Sequence, residues 1–159
     1  MKWFQIFSRK IVPVPLWTGK VFTASEFQQS LGTWEFGADQ SYAEVNADAL
    51  PEFYDWYRSR LFDLGLARWD SRQDCDDFAN LYADLIQLKF YLGQWGGVPI
   101  PNAEALAVAR YWYRPGVGTQ AHAINAVLTQ RGLLFVEPQN GQLLTLTNDE
   151  RLTRYRAIF

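Results

Sequence analysis

Residues 74–91, DCDDFANLYADLIQLKFY, decide how the rest of the chain is read. Phe78, Leu81, Tyr82, Leu85, Leu88 and Leu92 recur at the three- and four-residue steps of one helical face, and Gly93 follows where such a face should end. The spacing predicts a helix over residues 75–91. Asp74, just before it, is a residue type that caps a helix by accepting a bond from a free backbone N–H. Cys75 therefore stands in the first turn, where the unpaired N–H groups and the helix dipole favour a thiolate. The carboxylates of Asp74, Asp76 and Asp77 act in the opposite sense, because negative charge holds a proton on sulfur. The stretch offers either a poised nucleophile or an inert, half-buried thiol beside a capping aspartate.

Upstream, Leu50, Phe53, Tyr57, Leu61 and Leu64 keep the same period, with Pro51 near the first turn and Gly65 at the end. They predict a helix over residues 48–66, and a polar segment, 68–74, leads to the next one. Residues 1–47 show no sustained period and read as an extended arm. Its aromatics, Trp3, Phe4, Phe7, Trp17, Phe22, Phe27, Trp34 and Phe36, are expected to lay it over the core.

Downstream, residues 93–101 carry three glycines and two prolines and read as a loop. The period then changes to that of strands over residues 106–113, 121–129, 133–137 and 142–147, joined by short connections at 114–118, 130–132 and 138–141. Short connections imply an antiparallel meander. The fold class expected is α+β, with N-terminal helices packed on a C-terminal antiparallel sheet. A single domain over residues 1–159 is expected, made of the arm (1–47), a core (48–147) and a tail (148–159).

Composition narrows the function classes. With 48% hydrophobic and 20% charged residues the chain is globular, and its 16% aromatic content supplies large apolar area. A formal net charge of -2 with a pI near 5.4 offers nucleic acid no general attraction. One cysteine cannot form an internal disulfide, and one cysteine with one histidine cannot complete a four-ligand Cys/His zinc site. Lys2, Arg9 and Lys10 precede Pro13 and Pro15 rather than a long apolar region, so a signal peptide is not expected. No run approaches the roughly 18 apolar residues of a membrane span, and a cytoplasmic location is the default expectation.

The single cysteine and the single histidine, His122, each fall in a segment that suits thiol chemistry on acyl groups. His122 opens the strand pattern 122–127. If residues 133–137 form a hairpin with that strand, Glu137 comes level with His122 and fixes its tautomer; an odd loop or a bulge would move it to the other face. An exposed carboxylate at a strand end is the plainer alternative.

At these residues the sequence resembles the transglutaminase-like cysteine proteases, a branch of the papain-like superfamily. Asp74-Cys75-Asp76-Asp77-Phe78-Ala79 is similar to the nucleophile segment; His122-Ala123-Ile124-Asn125-Ala126-Val127 and Leu133-Leu134-Phe135-Val136-Glu137-Pro138 are similar to the histidine strand and the strand after it. The resemblance covers residues 69–147 and implies a papain-like core in which Cys75, His122 and Glu137 are catalytic. The family usually has aspartate where this chain has Glu137, which leaves Gln139 as a substitute third residue, and a bulky aromatic where it has Ile124. The resemblance further implies an oxyanion hole of the Cys75 N–H with Trp69 or Gln73. Calcium-dependent members carry acids beside the nucleophile, and Asp74 and Asp76 occupy those places, although the segment does not match an EF-hand. The activity implied is that of a thiol hydrolase or peptidase acting on a protein or peptide, with no cofactor required beyond that candidate calcium. Acyl transfer by the same residues and a binding or assembly module without turnover, such as a virion protein, are the alternatives.

Overall fold

The computed structural model describes residues 13–32, 38–68, 73–93, 95, 98–116, 118–154 and 156–159. The chain enters through β1 (Trp17–Thr23) and α1 (Ala24–Leu31), which Thr23 opens with a reciprocal cap to Glu26 and Gly32 closes in the left-handed region at φ 64°. β2 (Ser41–Val45) and a 3-10 turn (Ala47–Ala49) lead into α2 (Leu50–Asp63), and α3 (Cys75–Tyr91) follows. The remainder comprises β3 (Ala105–Leu106), β4 (Val108–Tyr113), β5 (His122–Thr129), β6 (Gly132–Val136), β7 (Leu143–Leu144), α4 (Asn148–Leu152) and β8 (Arg156–Ile158).

All eight strands join one mixed sheet, with the path β1-β2-β5-β4-β8. β2 pairs antiparallel with β1 but parallel with β3 and, at Val45 and Thr129, with β5. β5 lies antiparallel between β4 and β6 over most of its length.

This architecture corrects the expected division into N-terminal helices and a C-terminal antiparallel sheet on a papain-like or transglutaminase-like plan. Residues 17–45 are not merely an arm over a core, since they supply two strands and a helix, and β2 enters the sheet by parallel pairing. Neither strand carries the alternation that marks a half-buried strand in sequence. β1 is an edge strand exposed along most of its length, and β2 is buried at four of its five residues. The last residues also belong to the sheet, through β8 on β4. Among the expected anchors, Trp17 and Phe27 are buried and Phe22 is partly buried, while Trp3, Phe4, Phe7, Trp34 and Phe36 lie outside the described residues.

Side chains alternate between the two faces of the sheet, and each face has its own core. On the first, α2 and α3 pack Phe53, Tyr57, Phe78, Tyr82, Ile86 and Phe90 against Val45, Val108, Val127 and Val136. Phe53 meets Tyr82 edge-on at 5.2 Å and Trp95 at 5.8 Å. On the second, Phe27 and Leu31 of α1 cover Ala107, Ala109, Tyr111, Ile124, Ala126 and Phe135. Small residues on β4 and β5 let that helix lie close, and the sheet is covered on both sides. Among the described residues, no helix is long and apolar enough to cross a membrane.

Candidate functional site

Strand β5 holds the site together from both of its faces. Asn125, fully buried, sends its amide to the carbonyl of Ala79 at 2.9 Å and so ties α3 to the strand two positions beyond Ala123. The backbone N–H of Ala123 in turn faces the Cys75 thiol. His122 belongs with Ile124 and Ala126 to the second face and lies against Tyr113 with ring centroids 6.0 Å apart.

Glu137 reaches His122 because of the hairpin register. Thr129 pairs with Gly132 and Asn125 with Val136, so the turn keeps β5 and β6 in step and leaves Glu137 on the His122 side. Its Oε2 lies 2.6 Å from His122 Nε2. A carboxylate accepts only, so Nε2 is the donor and Nδ1 is the ring nitrogen that Glu137 leaves unused. The other carboxylate oxygen accepts the Gln139 N–H at 3.2 Å, and the Gln139 carbonyl accepts the Tyr54 hydroxyl at 3.0 Å. Gln139 thus steadies Glu137 through its backbone, and the contact to the imidazole is made by Glu137.

Cys75 and His122 line one cleft of about 600 Å³, together with Asp74, Asp76, Trp112, Pro115, Gln120 and Ala121. Asp74 caps α3, its side chain accepting from the Asp76 N–H at 3.3 Å while Asp77 returns a bond to the Asp74 N–H at 3.2 Å. Burial pushes the Cys75 thiol up from its ordinary pKa; the Ala123 N–H opposes this, and the charges of Asp74 and Asp76 add to it. Asp76 is itself raised, first by a hydrogen bond with the Asp74 carboxyl and then by burial. Ligand atoms of Asp74, Cys75 and Asp76 lie within 4.8 Å of one another, and the two carboxylates are the pair suited to a hard cation.

Of the residues singled out in the sequence, Cys75, His122, Glu137, Asp74 and Asp76 come together here. Gln73 does not line the cleft; it is buried, with its amide on the Leu66 carbonyl at 2.5 Å. Trp69 lies outside the described residues. The sequence reading omits Trp112 and Gln120. Trp112 pairs with Ala123 across β4 and β5, so aligning the two predicted strands about their connection was the signal that could have found it.

No family model matches the chain, and no curated protein matches it. Among solved structures it is similar to Polyporus squamosus lectin bound to a human-type influenza-binding epitope, Neu5Aca2-6Galb1-4GlcNAc, at 20% identity and a TM-score of 0.65. That match covers 87% of this chain and 49% of the lectin chain. A complex of PSL1a with E-64 matches at 20% identity and a TM-score of 0.63, covering 87% of this chain and 50% of the other. The chain therefore spans about half the length of either neighbour, and at this identity the likeness is one of fold. These findings correct the resemblance to transglutaminase-like and papain-like cysteine proteases, and with it the hydrolase and thiol-protease reading: the fold is shared with the Polyporus squamosus lectin chain. Short runs around one cysteine and one histidine carried that resemblance, and such runs follow from a capped helix and a hairpin in more than one kind of protein.

Proposed function

We propose that the chain is a binding domain whose ligand occupies the cleft at the head of α3. One observation carries this reading: the cleft gathers two carboxylates, an amide and an indole around a thiol that burial and the aspartates keep protonated. That set suits a sugar, whose apolar ring face packs on an aromatic ring while its hydroxyls donate to carboxylates. The lectin neighbour supports a carbohydrate class of ligand. With no cation between them Asp74 and Asp76 repel an acidic sugar, so in calcium-free solution a neutral saccharide is expected in place of the sialylated epitope bound by the Polyporus lectin.

Titration of neutral and sialylated oligosaccharides into the labelled protein, followed by NMR, tests the reading. Saturable shifts at Cys75, Trp112 and His122 with neutral sugars, weakened at least tenfold in Trp112→Ala, are expected. No shift at these positions with any saccharide overturns it. Calcium is the cation proposed for Asp74 and Asp76, and calorimetry on the wild type and Asp76→Asn reads it directly; no heat in the wild type removes it.

The clamp of Glu137 on His122 favours a second use of the same cleft. E-64, present in one neighbour's complex, is an epoxysuccinyl compound that alkylates thiols. In this reading His122 Nδ1 takes the proton of Cys75 as the sulfur attacks an epoxide carbon, the ring C–O bond breaks and its oxygen receives a proton to become a hydroxyl, while Glu137 holds the imidazole and stabilises its cation. Labelling of Cys75 by E-64 at neutral pH, lost in His122→Ala, is the expected result. Equal, slow labelling of both proteins leaves the thiol as a wall of a binding cleft.

A further inference from the structure

On the second face of the sheet, away from Cys75, a hollow of about 550 Å³ opens between the end of α1 and α4. Its lining includes two cations, Arg151 and Arg154, and no acidic side chain. Arg154 is partly engaged: its Nη1 donates to the Leu31 carbonyl at 2.9 Å, and its guanidinium also meets the Tyr111 hydroxyl. That contact gives the last turn of α1, which has no basic residue of its own, a cation at its negative end. Arg151 has no such employment. Its guanidinium lies over the Phe135 ring, 5.4 Å from the centroid, and among the described residues no carboxylate pairs with it.

Two guanidinium groups facing one hollow repel each other unless an anion lies between them. Arginine forks are suited to carboxylate and phosphate, and the surroundings supply the rest of a small-molecule site. Ser30 and Asn148 offer polar groups, and Leu133 and Phe135 an apolar wall. Phe135 is held in place by Tyr111, with ring centroids 5.0 Å apart.

We propose that this hollow is a second binding site, independent of the Cys75 cleft, for a small organic anion whose carboxylate or phosphate meets Arg151 and Arg154 while its ring or chain lies on Leu133 and Phe135. The apolar wall selects an organic anion over inorganic phosphate, and the arginines select an acid over its neutral analogue. The full chain, isotopically labelled, is titrated with benzoate, inorganic phosphate and benzyl alcohol and followed by NMR. Saturable shifts at Leu31, Gly32, Tyr111 and Arg151 are expected with benzoate, weaker ones with phosphate and none with benzyl alcohol. Arg151→Gln, which removes no hydrogen bond described in the fold, should weaken benzoate at least fivefold without changing the unfolding midpoint. Arg154→Lys keeps the charge but loses the fork, and should weaken it less. Absence of saturable benzoate shifts overturns the proposal, as does equal binding of benzyl alcohol or undiminished binding in Arg151→Gln.

Discussion

The two faces of the central sheet are built differently, and the candidate site draws on both. The first face is a mass of rings under two long helices, with Phe53 touching Trp56, Tyr57, Tyr82 and Trp95. The second is a thinner layer, in which the eight-residue α1 lies on alanines. Cys75 arrives with the first layer, and His122 with Glu137 comes from the second. Strand β5 is the shared wall, so the distance between thiol and imidazole depends on how α3 seats on that strand rather than on either layer alone.

The sharpest way to break this comparison is to cut each layer at a fully buried phenylalanine. Phe53→Ala should cost about 4 kcal/mol, because it removes a fully buried ring and leaves a hole among side chains that cannot all collapse into it. Phe27→Ala should cost less, about 3 kcal/mol, since its ring neighbours are Tyr42 and Phe159 at the chain's end. Urea unfolding of both variants measures the difference. Equal losses would mean that the two layers are equally packed.

Asn125→Leu comes next and tests the shared wall itself. It keeps the size of the side chain, removes the bond to Ala79 and leaves that carbonyl without the amide, at a cost of about 2 kcal/mol. Besides the loss in urea, the amide signals of the first turn of α3 should shift. A stable variant with unmoved α3 signals would show that the helix is seated by apolar contact alone.

Gly141→Ala should cost about 1 to 3 kcal/mol. Its φ of 75° is poorly tolerated with a side chain, and an added Cβ would meet the Tyr54 ring within 2.6 Å. Since Tyr54 holds the Gln139 carbonyl, this substitution also loosens the support of Glu137, and slower labelling of Cys75 by E-64 is expected alongside the stability loss.

The difference between the layers also explains what could be read from the residues. α3 was legible to its ends, because its period, its capping aspartate and Gly93 all agree. The hairpin that brings Glu137 to His122 was legible too, because a short turn sets its register. β1 and β2 were not, since one is an exposed edge and the other is buried almost throughout, and neither alternates. Parallel pairing of β2 with β3 joins residues about sixty positions apart, and no local pattern announces such a partner. Trp112 escaped for a related reason: it reads as a strand aromatic, and only its pairing with Ala123 places it at the cleft.

The smallest expected effect concerns the electrostatics where the layers meet. Burial raises the Cys75 pKa and the negative charge of Asp76 adds to it, so Asp76→Asn should lower the midpoint of the rate of iodoacetamide alkylation against pH. The sign follows from the charge alone: removing an anion makes the thiolate less costly, and the rate rises earlier as pH increases. Asp84→Asn is the control, because Asp84 lies on the same helix as Asp76 but its carboxylate is paired with Arg110 of β4 and does not line the cleft. A profile unmoved by Asp76→Asn would mean that the charge at the head of α3 is already neutralised by a bound cation. The same profile recorded with and without a chelator then separates that case, since loss of the cation should push the wild-type midpoint up and leave the asparagine variant nearly unchanged.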